Sequence, residues 1–338
     1  MRRRRAPSLP LDRLTVLELD QDGCFVNPDT GQPVNPVAVA AFIKNELAVR
    51  KDVTDIFVWV HGWNNDRRTA VAAAQRLFGG IESRYRQSRE RYPEIRSFTG
   101  QYVVICWPSR SSVLPSGYAK IRERAHEMTT NGYAEYSLAQ LLGYLDDQRE
   151  PPSLASGTLQ TAGGQYLHCI GHSFGGRFLA EAISAAATPS PRTLSLLPKN
   201  KRFKFTVDNF LAFQMAAPPG IFAGQLGALL KEAPLQGPVC LTFSSADRAT
   251  CRWHRLAEGQ PGIGCGGASA EAGQVITTRL RPVDEDYKPA DLTARIVNID
   301  ASWRYRAGKW LNPAGAHSDF QHEESYHLLL TLMNFARP

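Results

Sequence analysis

The fold class of this chain is decided by the segment YLHCIGHSFGG, residues 166–176. Its first five residues are mostly apolar and predict a buried strand, and a helical pattern begins directly after the segment. Ser173 stands between Gly171 and Gly175, and residues without bulk are what a tight turn between strand and helix requires. The segment therefore predicts a serine held on a tight turn between strand and helix, which is a geometry typical of an enzymatic nucleophile; the alternative is a glycine-rich loop with a solvent-exposed serine.

Apolar strands and amphipathic helices alternate along the rest of the chain. Further strands are predicted at 56–60, 102–107, 205–214, 239–243 and 294–299, and helices after Asn35, at 70–78, 133–145, 174–187 and 320–335. Strands that are apolar on both faces and separated by helices favour a mostly parallel, doubly wound sheet with helices on both faces. Residues 14–26 predict a hairpin that turns at Asp22-Gly23.

Composition restricts the class of protein. The 338 residues include 39 Lys or Arg against 32 Asp or Glu, a net charge of +7, with 43 % hydrophobic residues. This apolar content excludes a disordered chain, and no apolar run approaches the roughly 20 residues of a membrane-spanning helix. The basic excess is compatible with peripheral contact with an anionic membrane, and no nucleic-acid partner is expected.

The length suits one large α/β domain or two smaller ones, and one domain is expected because predicted strands lie on both sides of the glycine-rich stretch 259–273. Residues 1–11 form a basic tail, expected to be disordered, and residues 12–338 are expected to form a single α/β domain. The run Arg2 to Arg5 is not followed by an apolar core, so no Sec-type signal peptide is visible and a cytoplasmic location is expected.

The six cysteines show no metal-binding pattern. No CxxC pair and no Cys/His cluster with zinc spacing occurs, and neither a metal nor an organic cofactor is expected. Cys251 and Cys265 fall in one predicted loop and could pair in an oxidising compartment. The default prediction is six reduced thiols.

Two backbone amides are candidates for stabilising an oxyanion. The amide of Phe174 begins the helix after Ser173, and the strand at 56–60 ends in His61-Gly62-Trp63-Asn64. α/β-hydrolases use a His-Gly step of this kind to direct the next amide, here that of Trp63, toward the nucleophile. The imidazole of His61 is expected to be a buried structural group.

The candidate acid is Asp247, which follows the predicted strand at 239–243. Ligand crevices in such sheets form at the carboxyl ends of strands, and the acid follows the serine in chain order in this fold. The alternatives are Asp300 at the end of the last strand, and Asp284, Asp286 and Asp291 in the loop before it.

The candidate base is His317, in the loop between the last strand and the last helix. His322 and His327 belong to the pattern of that helix, and His254 precedes the last strand. In the predicted mechanism His317 accepts the proton of Ser173, and Asp247 orients the imidazole.

Five motifs resemble the bacterial serine-esterase branch of the α/β-hydrolase superfamily, a group classed as a domain of unknown function with an HGFN-type oxyanion motif. The matching segments are residues 61–64, Trp107-Pro108-Ser109 with the Tyr- and Arg-containing stretch 118–125, and residues 171–175, 244–247 and 316–318. The resemblance extends over residues 12–335 and implies hydrolysis of carboxylic esters. Trp63 replaces the usual Phe of the motif, residues 216–219 lack an Asp often found there, and residues 199–204 look inserted.

The sequence also predicts what covers the site. Residues 218–238 are too few for a separate cap domain, so the longer excursions at 110–132, 248–291 and 303–317 are expected to cover it partly. The glycine-rich stretch 259–273 is either a lid or a plain surface loop. The expected substrate is a small-molecule or lipid ester; the alternatives are a phospholipase, a thioesterase, an acyltransferase or a non-catalytic binding protein.

Overall fold

The predicted alternation of strands and helices folds into one parallel sheet. The computed structural model describes residues 8–112, 115–149, 164–187, 207–231, 235–271, 273–308 and 313–337. The described strands are β1 (Leu14–Glu18), β2 (Asp55–Val60), β3 (Gly100–Cys106), β4 (Tyr166–His172), β5 (Asn209–Phe213), β6 (Val239–Phe243), β7 (Val275–Arg279) and β8 (Ile296–Asp300). Their order across the sheet is β1-β3-β2-β4-β5-β6-β8-β7, and every neighbouring pair is parallel.

Helices cover both faces of this sheet, which confirms the doubly wound arrangement. The described helices are α1 (Val39–Glu46), α2 (Arg67–Gln87), α3 (Pro115–Thr130), α4 (Ala134–Gln148), α5 (Phe174–Ala187), α6 (Ala228–Lys231), α7 (His254–Glu258), α8 (Ile263–Gly266) and α9 (Glu323–Phe335). Alternate residues of β2 enter different cores: Phe57 and Trp59 pack with α2 and α9, whereas Ile56 and Val58 pack with α1, α4 and α5.

Local chemistry explains where helices begin. The side chain of Asn35 accepts a hydrogen bond from the Val37 amide, and Pro36 occupies the first position of the short turn that leads into α1. Asp66 caps α2 through the amide of Thr69. The segment after β5 contains only a short turn, Pro219–Ala223, and the four-residue α6 among its described residues, so no large cap is evident there.

Three features differ from the sequence-based expectation. The excursion at 110–132 contains α3, whose residues Tyr118, Ile121, Ala125 and Met128 recur at helical spacing and are buried. β7 was not predicted, because only its first two residues are strongly apolar. Of the predicted hairpin, the structure contains an antiparallel bridge between Leu19 and Phe25. The strand β1 itself pairs with β3 in parallel and is part of the main sheet.

The prediction of six reduced thiols is wrong for one pair. Cys251 and Cys265 form a disulfide, because a π-helical turn (Ala249–Trp253) packs beside α8 and brings their Cα atoms to 4.9 Å. The other four cysteines are free and buried.

The structure describes only one of the three basic runs of the sequence. Residues 1–7 and 199–204 lie outside the described residues. In the run at 84–96, Arg84 is buried and donates to the Val283 carbonyl, and Arg91 pairs with Asp286. Within the described ranges, no helix combines the length and the apolar character needed to cross a membrane.

Candidate active site

The turn after β4 holds Ser173 in a conformation that few residues adopt. Its φ is +56°, in the left-handed region, and its amide donates to the Phe213 carbonyl at 2.9 Å. A Cβ on Gly171 would lie 2.3 Å from the Gly176 Cα, and one on Gly175 would lie 2.2 Å from the Val60 carbonyl oxygen. Both flanking glycines are therefore required by close backbone approach, as the segment predicts.

Ser173, His317 and Asp247 form a continuous chain of hydrogen bonds. His317 Nε2 lies 2.8 Å from Ser173 Oγ, and its Nδ1 lies 2.8 Å from Asp247 Oδ2. All three side chains are buried. If Nδ1 carries the proton and donates to the carboxylate, Nε2 is free to accept the serine hydroxyl proton, which is the tautomer a general base needs.

The carboxylate of Asp247 is held by further donors. Its Oδ1 accepts the Thr250 amide at 3.0 Å, and its Oδ2 also accepts Gln214 Nε2 at 2.9 Å. Gln214 follows β5 directly, has φ of +47°, and donates from the same nitrogen to the Ala316 carbonyl at 3.0 Å. Gln214 therefore ties the loop of the acid to the loop of the histidine.

The alternative acids lie in other environments. Asp300 accepts the Ser302 amide at 2.9 Å, Asp286 pairs with Arg91, and Asp291 pairs with Arg281. The backbone carbonyl of Asp284 accepts from Arg91. Asp247 is the carboxylate that meets His317.

The alternative histidines are likewise engaged elsewhere. His322 bonds to Asp319, His327 bonds to Tyr92 and to the Glu285 carbonyl, and the His254 Nδ1 bonds to the Gln260 carbonyl. Behind His317, the His172 Nε2 donates to the His317 carbonyl at 2.6 Å and fixes its backbone.

Two candidate oxyanion donors lie next to the serine. A Cβ built on Gly62 would be 2.8 Å from Ser173 Cβ, so the backbone leading to Trp63 passes directly against Ser173. Among the described residues, neither the Trp63 amide nor the Phe174 amide has a hydrogen-bond acceptor. Free amides on both sides of a serine are suited to a developing negative charge.

The imidazole of His61 is structural, as expected. Its Nε2 accepts the Trp107 amide at 3.1 Å and its Nδ1 bonds to the Gly62 carbonyl at 2.8 Å. Burial lowers the pKa of His61 to about 4, so the ring is neutral at pH 7.

An aromatic cluster includes the side chains of Trp63 and Phe174, whose amides are the candidate oxyanion donors. Trp63 packs edge-on against Tyr118 and Trp253, with ring centroids 5.6 and 5.4 Å apart, and Tyr118 packs against Phe174 at 5.5 Å. The Tyr118 hydroxyl is buried and has no hydrogen-bond partner among the described atoms. Tyr118 and Trp253 belong to two of the excursions expected to lie over the site: α3 falls within 110–132, and the turn after Asp247 falls within 248–291.

Gln214, Tyr118 and Trp253 were not singled out from the sequence. A polar residue directly after an apolar strand was a usable signal for Gln214, because strand carboxyl ends gather at one edge of the sheet. Tyr118 was noted only within the family resemblance. No group of three or more His, Cys, Asp or Glu side chains suited to a metal ion occurs in the described part of the chain.

Comparison with known proteins agrees with this architecture. The model of a family described as alpha/beta hydrolase of unknown function (DUF900) matches residues 38–219, more than half of the chain. The matched range contains Trp63, Ser173 and Phe174, and it ends before Asp247 and His317. No curated protein matches the chain. The chain therefore belongs to the DUF900 family of α/β-hydrolases of unknown function.

Proposed function

We propose that this protein is a serine hydrolase that cleaves carboxylic esters through an acyl-enzyme on Ser173. The observation that carries the proposal is the hydrogen-bonded chain from Ser173 Oγ through the His317 imidazole to the buried Asp247 carboxylate, with 2.8 Å at each link. Membership of an α/β-hydrolase family supports hydrolysis as the reaction class.

The first half of the reaction transfers the acyl group to the enzyme. Ser173 Oγ attacks the ester carbonyl carbon while His317 Nε2 takes the hydroxyl proton. The carbonyl oxygen becomes an oxyanion and accepts hydrogen bonds from the Trp63 and Phe174 amides. When the tetrahedral intermediate collapses, the carbon–oxygen bond to the alcohol breaks, and His317 gives its proton to the departing alcohol.

The second half regenerates the serine. Water attacks the acyl carbon while His317 takes a proton from it, and His317 then gives that proton to Ser173 Oγ as the bond between the acyl carbon and Ser173 Oγ breaks and the acid leaves. Asp247 stabilises the imidazolium formed in each half. Because Ser173 is buried, substrate entry requires movement of neighbouring side chains.

A fluorophosphonate probe and a short-chain p-nitrophenyl ester test this proposal. We expect the wild type to be labelled and to hydrolyse the ester, and Ser173→Ala to do neither. Asp247→Asn should lower kcat about 10⁴-fold, because the amide favours the wrong imidazole tautomer.

Asp300→Asn is the matched control, since Asp300 also follows a strand but bonds to the Ser302 amide. It should keep kcat within twofold of the wild type. A folded wild type that resists the probe and every ester would exclude the proposal, and equal losses in the two Asp variants would overturn the assignment of the acid.

A further inference from the structure

A cavity that the proposed mechanism does not use opens between α3, α5 and α7. Its volume is about 660 Å³, and its polar lining includes Arg122, His126, Arg177, Gln225, Glu258 and Gln260. Residues 218–221, after β5, complete part of the wall. Two guanidinium groups therefore face one cavity, each from a different helix.

Arg177 is the more buried of the two. Its side chain is only 8 % exposed, and its Nε donates to Glu181 Oε1 at 2.9 Å. Among the described residues its two terminal nitrogens have no acceptor, yet they are not sealed from solvent. Since Arg177 lines the cavity, these free N–H groups are available to a ligand there.

Arg122 faces the cavity from the opposite helix. Its terminal nitrogen donates to Glu258 Oε1 at 2.9 Å, and its side chain is 31 % exposed. Glu181 and Glu258 balance the two positive charges in number, and they also fix the orientation of the guanidinium groups. A preoriented planar fork with unused donors matches an oxyanion such as a carboxylate or a phosphate.

Two arginines of the cavity lining belong to the helices that carry Phe174 and Tyr118. Arg177 follows Phe174 by three residues on α5, and Arg122 follows Tyr118 by four residues on α3. Residues three or four apart on a helix lie on one face, about 5–6 Å apart along the axis. Because Tyr118 packs on Phe174, the arginines lie about one helical turn beyond the aromatic cluster on both helices.

Resting on the proposed esterase activity, we propose that this cavity binds an anionic group carried by the ester substrate. The arginine pair would accept a carboxylate or a phosphate-like group about one helical turn from the scissile carbonyl. The substrate class is then an acidic ester rather than a neutral one.

Three p-nitrophenyl esters of matched length test this inference. They are the hexanoate, the adipate with a terminal carboxylate, and the 5-phosphonopentanoate with a terminal phosphonate, each corrected for its enzyme-free rate. We expect the wild type to show at least a tenfold higher kcat/KM for one or both acidic esters than for the hexanoate. The better of the two identifies the anion.

The variants separate a local site from general charge attraction. Arg122→Gln and Arg177→Lys should each lower the preference for the acidic ester at least fivefold and leave hexanoate hydrolysis within twofold. Arg177→Lys retains a cation beside the buried Glu181, so it avoids leaving that carboxylate unpaired. Arg281→Gln, at 29 % exposure and paired with acids elsewhere, removes the same charge and should change nothing.

The outcomes are distinct. Three results would each overturn the anion site: no preference for acidic esters in the wild type, an unchanged preference in both cavity variants, or an equal loss of preference in Arg281→Gln. In each of these cases, hydrolysis of the hexanoate would still support the esterase function. Failure of the folded wild type on all three esters would remove the esterase function, and this inference with it.

Discussion

At the scale of single residues, Gln214 shows how the fold holds the acid. It adopts φ of +47°, and its amide group bonds both to Asp247 Oδ2 and to the Ala316 carbonyl next to His317. Its own Oε1 is buried without a partner among the described atoms. A strained backbone and an unsatisfied oxygen both cost free energy, and such costs are typical of functional sites.

Replacing Gln214 with the isosteric Met should therefore impair turnover more than binding. Loss of a hydrogen bond to a charged group is worth about 1.5–3 kcal/mol, so we expect kcat to fall about 10- to 100-fold with KM little changed. Steady-state kinetics on a neutral ester measure the changes in kcat and in KM separately.

Gln321→Met provides the control, because Gln321 donates a side-chain amide hydrogen bond to the Ala73 carbonyl, on α2, and like Gln214 has an Oε1 without a partner among the described atoms. It lies away from Asp247 and should leave kcat unchanged. Equal effects of the two substitutions would contradict a positioning role for Gln214.

At the scale of elements, the segment after β6 connects the acid to the aromatic cluster. The π-helical turn begins two residues after Asp247 and contains Trp253, which packs on Trp63. The disulfide between Cys251 and Cys265 fixes this turn to α8. One covalent link thus restrains both the loop of the acid and part of the aromatic cluster.

We expect the Cys251→Ser/Cys265→Ser variant to lose about 3 kcal/mol of unfolding free energy, the value associated with closing a loop of about 15 residues. Urea denaturation followed by circular dichroism measures the loss. A reductant should destabilise the wild type by a similar amount and leave the double variant unaffected. A wild type whose denaturation midpoint is insensitive to reductant would count against this prediction.

At the scale of the whole molecule, buried histidines couple stability to pH. Burial lowers the pKa of His61, His172, His254 and His327, so the folded protein resists protonating them. The unfolded chain binds those protons near pH 6.5. Stability from these groups is therefore complete above pH 6.5 and is lost as the pH falls through the lowered values.

For His61, whose pKa falls to about 4, the free energy of unfolding decreases by about 2–3 kcal/mol between pH 7 and pH 4.5. We expect the melting temperature to fall steadily between pH 7 and 4.5, as measured by calorimetry. His61→Gln keeps an acceptor for the Trp107 amide but does not titrate, so its melting temperature should depend less steeply on pH. Parallel curves for the two proteins would refute the contribution of His61.

Local sequence determined the central part of this architecture. Glycine positions, helix caps and apolar strands act over a few residues, so β2, β4, α5 and the turn at Ser173 follow from short-range physics. The fold class was predictable for this reason. The helix α3 was harder to predict, because charged residues stand between its apolar residues along the sequence.

Tertiary structure decided which distant side chains meet. His317 is 144 residues from Ser173 and 70 from Asp247, and only the parallel sheet, which collects the ends of β4, β5, β6 and β8 at one edge, brings them within 2.8 Å. The sequence offered several acids and histidines as equals in type. The contacts of Asp247 with His317 and Gln214, the pairing of Cys251 with Cys265, and the cavity lined by Arg122 and Arg177 all follow from tertiary packing. They join segments that are distant along the chain, and the local sequence of one segment carries no information about the other.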